Sequence, residues 1–161
     1  MFLTILNLAC GYQIVGLNAS GGKKFNQITY YIEEIYNNTA DRTITPDLKQ
    51  NVTRFFSDYG SLQPKQSATY KLTVSLNEYS ITAATLSSSR DAVTSNLTVA
   101  YSFNVSDAAG TSLYSKTIAR TQNFSAGNSA DRYERNLYET FISVTEDLLS
   151  EFKNDFESDR N

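Results

Sequence analysis

A chain of 161 residues with one cysteine and no histidine is long enough to bury a core but cannot build a disulfide framework. The missing histidine also removes Ser-His and Cys-His catalytic pairs, and it leaves a zinc site only Cys10 and carboxylates. Net charge is -3, and from Ser129 onward nine acids face four bases, which argues against nucleic acid as a partner because phosphate binding needs clustered Lys and Arg.

Residues 1–9 are short and apolar and end at Cys10, followed by Gly11 and Tyr12. Small Ala9 before the cysteine fits the processing site of a bacterial lipoprotein, whose thiol would carry a diacylglycerol and whose new amino terminus would be acylated. More than one chain is needed for stable anchoring, since burial is worth about 0.8 kcal/mol per CH₂. Asn7 stands where such signals usually place Leu, and the leader lacks a basic start. Two readings of Cys10 therefore stand on local context: a lipid attachment site, or a small buried hydrophobe.

Residues 12–16 read as a short strand, followed by a Gly- and Ser-rich loop over 18–24. The β-branched and aromatic run 28–32 predicts the next strand, and residues 33–39 carry it into a loop. Thr45, Pro46 and Asp47 announce a helix by cap, first-turn proline and early acid. Leu48, Val52, Phe55, Phe56 and Tyr59 give it one apolar face, and Gly60 stands where a left-handed terminator belongs.

From Tyr70 the period becomes two, with Leu72, Val74 and Leu76 on one side. A cleaner alternation runs through Leu97, Val99, Tyr101, Phe103 and Val105. Asp107 to Gly110 is a hairpin turn into a third strand over 113–124, so the three form an antiparallel meander with a long tip over 80–95. Beyond Ser129, Tyr133, Leu137, Phe141, Val144, Leu148 and Phe152 recur at helical spacing. The expected fold is a two-layer α+β sandwich, a mainly antiparallel sheet packed with two helices, in one domain over 10–156 with a polar, frayed tail over 157–161.

Candidate acid–base pairs are poor. Glu33 and Glu34 are adjacent on a strand and would point to opposite faces, and Glu146 with Asp147 lie on the polar side of an acidic helix. Gly21 to Lys24 lacks the spacing of a phosphate loop. Asn-x-Ser/Thr sequons occur at Asn18, Asn37, Asn51, Asn96, Asn104 and Asn123, as expected by chance in a chain rich in these residues. On the third meander strand Tyr114, Lys116, Ile118, Arg120, Gln122 and Phe124 share a face. Such mixed cationic and aromatic character suits an amphipathic anionic ligand, or guards an edge strand against aggregation.

Taken in order, residues 9–14, the strand and loop over 32–39, the Pro46 helix, the meander and the helix from Tyr133 resemble the LptE family of lipopolysaccharide-assembly lipoproteins. The likeness runs from Cys10 to about Phe152. It implies an outer-membrane lipoprotein on the periplasmic side, acylated at Cys10, with residues 1–9 as the stump of an export signal. It further implies a non-enzymatic plug inside an LptD-type β-barrel that helps the barrel assemble and binds lipopolysaccharide, with no cofactor. By position, the lipopolysaccharide-binding residues would be Lys116, Arg120 and Arg90. A sheet and helix surface of Ser, Thr, Asn and Tyr suits the polar lumen of such a barrel. Two other classes fit the composition: an accessory lipoprotein that activates or tethers another envelope system, and a secreted glycoprotein domain.

Overall fold

A computed structural model describes residues 28–86, 92–158 and 160. Cys10, Arg90 and the strand expected over 12–16 lie outside the described residues. The elements run β1 (Tyr30–Asn37), α1 (Thr45–Asp58), β2 (Tyr70–Leu86), β3 (Ala92–Ser106), β4 (Ser112–Ser125) and α2 (Ala130–Ser158). The four strands form one sheet in the order β1-β2-β3-β4. Strand β1 lies parallel to β2, with α1 as the crossover, and the other two pairings are antiparallel.

The apolar alternation decides which face the helices cover. Leu72, Val74 and Leu76 of β2, Leu97, Val99, Tyr101, Phe103 and Val105 of β3, and Ile118 and Phe124 of β4 are buried in one cluster with α1 and α2. Phe152 of α2 stacks on Phe103 at 4.4 Å between ring centroids, and Tyr30 lies 5.2 Å from Phe56 of α1 and 6.1 Å from Phe152. Aromatic contacts of this kind add to area burial, so this knot ties β1, β3 and both helices together.

Local signals were obeyed with a few differences. Residues 33–39, expected to pass into a loop, instead continue β1 as far as Asn37, where pairing with β2 holds them extended. Helix α1 ends as expected: Gly60 has φ +63°, and the Ser61 N–H closes on the Phe56 carbonyl at 3.0 Å. Its start differs, because Ile44 occupies the cap position and the Thr45 hydroxyl instead accepts a bond from the Asn37 amide at 3.0 Å. Asn37 is nearly buried and also donates to the Asp41 carbonyl at 2.7 Å, so it staples the loop between β1 and α1. At the other end, α2 continues two residues past Phe156. Glu157, expected in the frayed tail, instead accepts the buried Tyr30 hydroxyl at 3.1 Å and Lys153 at 2.7 Å.

Candidate functional site

Register places Lys116 opposite Phe103 and Arg120 opposite Val99, so both cations face the helices at the edge of the core. Alternation on β4 and helical spacing on α2 then bring two charged rows together. Lys116 donates to Asp155 at 2.9 Å, while Arg120 donates to Asp147 at 2.8 Å and to Glu151 at 3.1 Å. The rows fit because eight residues of helix rise about 12 Å, and four residues of strand span about 13 Å. The stripe Asp147, Glu151, Asp155 at i, i+4, i+8 therefore matches Lys116 and Arg120 at i, i+4, running the opposite way. That helix spacing was visible in the sequence; its partner strand was not.

The Tyr114 hydroxyl bonds the same Asp155 oxygen as Lys116, at 2.7 Å. Together these donors hold the Asp155 carboxyl below its ordinary range, the Tyr114 bond first and Lys116 second. All these ion pairs are about half exposed. The structure thus gives Lys116 and Arg120 intramolecular partners, while Arg90 lies outside the described residues.

The opposite face of the sheet has a different chemistry. Asn96, Thr98, Ser102 and Asn104 of β3, with Ser115, Thr117, Thr121 and Asn123 of β4, point away from the helices. They bond in cross-strand pairs: Thr98 with Thr121 at 2.8 Å, Ser102 with Thr117 at 2.6 Å, Asn104 with Ser115 at 2.7 Å and Asn96 with Asn123 at 3.1 Å. The ladder extends to Asn77 of β2, which donates to Ser102 at 2.6 Å, and to Asn38, which donates to Asn77 at 3.0 Å. Register puts no charged side chain of β3 or β4 on this face. The result is a broad, open wall of hydroxyls and amides.

Other sequence candidates fall away on geometry. Glu146 and Asp147 turn to different elements, Glu146 to Arg54 at 3.1 Å and Asp147 to Arg120. Strand β1 bulges between Ile32 and Glu34, and Glu33 and Glu34 are both exposed. The sequon residues Asn37 and Asn51 are buried, so neither can carry a glycan in the folded chain. Among the described residues no group of three or more His, Cys, Asp or Glu is placed to hold a metal ion. A shallow groove of about 510 Å³ beside β1, lined by Tyr31, Ile32, Thr53, Leu62, Gln63 and Pro64, presents no carboxylate or amine. No helix among the described residues is long and apolar enough to cross a membrane.

No family model matches the chain, and no curated protein matches it in sequence. Solved structures share the fold. A candidate lipoprotein of Caulobacter crescentus is similar at a TM-score of 0.60 and 12% identity, over 81% of this chain and 92% of that one. The rare lipoprotein B of Shewanella oneidensis is similar at 0.54 and 12%, over 80% and 99%. A minor lipoprotein of Acinetobacter baumannii is similar at 0.51 and 12%, over 83% and 93%. At these identities the likeness is one of fold.

Proposed function

We propose that this chain is an envelope lipoprotein, anchored through acylated Cys10, that sits in the lumen of an LptD-type outer-membrane β-barrel as a plug and assembly partner in lipopolysaccharide transport. The observation that carries this reading is the uncharged hydroxyl and amide wall that β3 and β4 present on the open face, with the charges of that face, Lys71, Glu78 and Glu34, kept to β1 and β2. Barrel lumens are polar, and a wall of paired Ser, Thr and Asn meets such a surface without burying a charge. The fold supports the lipoprotein part, since proteins described as lipoproteins share it, and rare lipoprotein B is a name used within the LptE family. The role is non-catalytic.

Contact with lipopolysaccharide belongs to Lys116, Arg120 and Arg90 in this reading. Phosphate would exchange with Asp155, Asp147 and Glu151, which costs little because half-exposed ion pairs contribute little to stability. The same pairing favours a second reading, an accessory lipoprotein of another envelope system whose cations serve only the fold. Purification from native membranes tests the first reading: a large β-barrel should accompany the chain, and repeated isolation without one overturns it. Replacing both cations, K116S with R120S, separates the two readings. Weakened lipopolysaccharide binding by a folded variant supports the first, and unchanged binding removes the site.

A further inference from the structure

Among the described residues three stretches of strand edge in this sheet have no strand beside them, and two are guarded. The free edge of β4 carries Lys116 and Arg120 on a strand tied to α2, and that of β1 has a bulge beside Glu33 and a bridge from Tyr30 to Leu62. Charges, bulges and covering loops are the usual means of keeping an edge from pairing. The third edge lacks most of them. Strand β1 covers β2 only as far as the Asn37–Leu76 pair, whereas β3 follows β2 out to Leu86. From Ser80 to Leu86 no strand lies on the outer side of β2 among the described residues, and Ile81 to Leu86 are all exposed. Residues 79–86 contain no charge and no proline.

The geometry points to a second copy of this chain as the occupant, pairing antiparallel with itself over residues 80–84 of β2. Thr82 lies opposite Asn96 and so faces the open side, whereas Ile81 opposite Leu97 and Ala83 opposite Ser95 face the helix side. A two-fold axis through Thr82, normal to the sheet, sets Thr82 against its own copy and Ile81 against Ala83 on matching faces. Large meets small on one side, and the threonine pair repeats the Thr98–Thr121 contact already present on the other side of β3. Pairing ends at the bulge between Ala83 and Thr85. Ile81, 38% exposed, is covered in the dimer. Because both copies use the same edge, the assembly closes at two and does not grow into a fibre. The inference rests on the edge alone and is independent of any envelope partner.

The test uses the full chain with Cys10→Ser, so that no acyl group drives association. Sedimentation velocity over about a hundredfold range of concentration, which spans roughly 2.7 kcal/mol of association free energy, should show a monomer passing to a dimer. Hydrogen exchange of amides 80–84 should slow as the dimer forms. Thr82→Lys and, separately, Ala83→Lys, both at exposed positions, should abolish the dimer while the circular dichroism spectrum is kept. Thr117→Lys, on the open face of β4, should leave it. A monomer throughout overturns the proposal, as does a dimer that survives both edge lysines. Protection of 80–84 that arises only with a different protein bound also overturns it, in favour of that protein as the occupant.

Discussion

Lys116 and Asp155 meet at 2.9 Å, and the carboxyl oxygen they share also takes the Tyr114 hydroxyl. A carboxylate whose folded pKa is depressed stabilises the fold above its unfolded pKa and stops doing so as the pH falls through the folded value. Asp155, with an ordinary value of 3.8, should therefore contribute in full at neutral pH and lose its contribution below that value. Urea titrations at successive pH values should show Asp155→Asn less stable than the parent at pH 7, with the two converging in strong acid. A gap that persists unchanged below pH 3.8 would place the cause elsewhere.

Arg120 alone bridges Asp147 and Glu151, all three about half exposed. Arg120→Ser should cost up to about 1 kcal/mol, as for exposed ion pairs, and the loss should shrink at high salt. A salt-independent loss, measured from urea midpoints in low and high sodium chloride, would point to packing of the arginine stem.

Tyr101 and Thr145 share a buried hydroxyl contact at 3.0 Å between β3 and α2. Thr145→Val should cost about 1–3 kcal/mol because it strands the Tyr101 hydroxyl. Adding Tyr101→Phe should cost much less than the same change in the parent. A double-mutant cycle reads that coupling directly, and strict additivity would deny it.

At alkaline pH the tyrosines divide. Burial first, then the charge of Glu157, raises the Tyr30 pKa far above its ordinary 10.0. Its neutral hydroxyl therefore favours the fold below pH 10.0, and that share is lost as the pH climbs beyond. Tyr79, half-buried against Phe141, is pushed up to about 12. Spectrophotometric titration should show Tyr79 ionising above the ordinary tyrosine value of 10.0. Tyr30 should follow only as the chain unfolds, and Tyr30→Phe should flatten the alkaline loss of stability.

Gly127 adopts φ +67° in the turn before α2, where an added Cβ would sit 2.9 Å from the Arg132 Cβ. Gly127→Ala should destabilise by roughly 1–2 kcal/mol, from left-handed strain together with that contact. Thermal unfolding checks it, and an unchanged midpoint would show that the turn relaxes.

Much of this fold was legible because its signals are local. Pro46 and Gly60 bracket α1, Asp107 and Gly110 set the hairpin, and strict alternation from Leu97 to Val105 names the core face of β3. What stayed hidden depends on contacts distant in sequence. Nothing near Thr45 shows that Asn37 will claim its hydroxyl, and nothing near Glu157 shows that Tyr30 will bury against it. The candidate site shows the same division. The shared face of Lys116 and Arg120 follows from a period of two, but their neutralisation by α2 needs the docking angle of helix on sheet. The Ser, Thr and Ala richness of 80–95 marked strand ends projecting into a long hairpin tip, but not where the strands stop, because bulges at residues 77 and 84 break the alternation that marks a strand.

The cross-strand ladder on the open face has one more consequence. Its hydroxyls and amides bond chiefly to one another, so the face carries much of its own solvation. Removing bulk water from such a surface strands few donors and acceptors, and little reorganisation is needed to restore them. It can lie against a polar wall, or be withdrawn from one, without the precise pairing a charged surface would demand: a sliding contact in place of a lock.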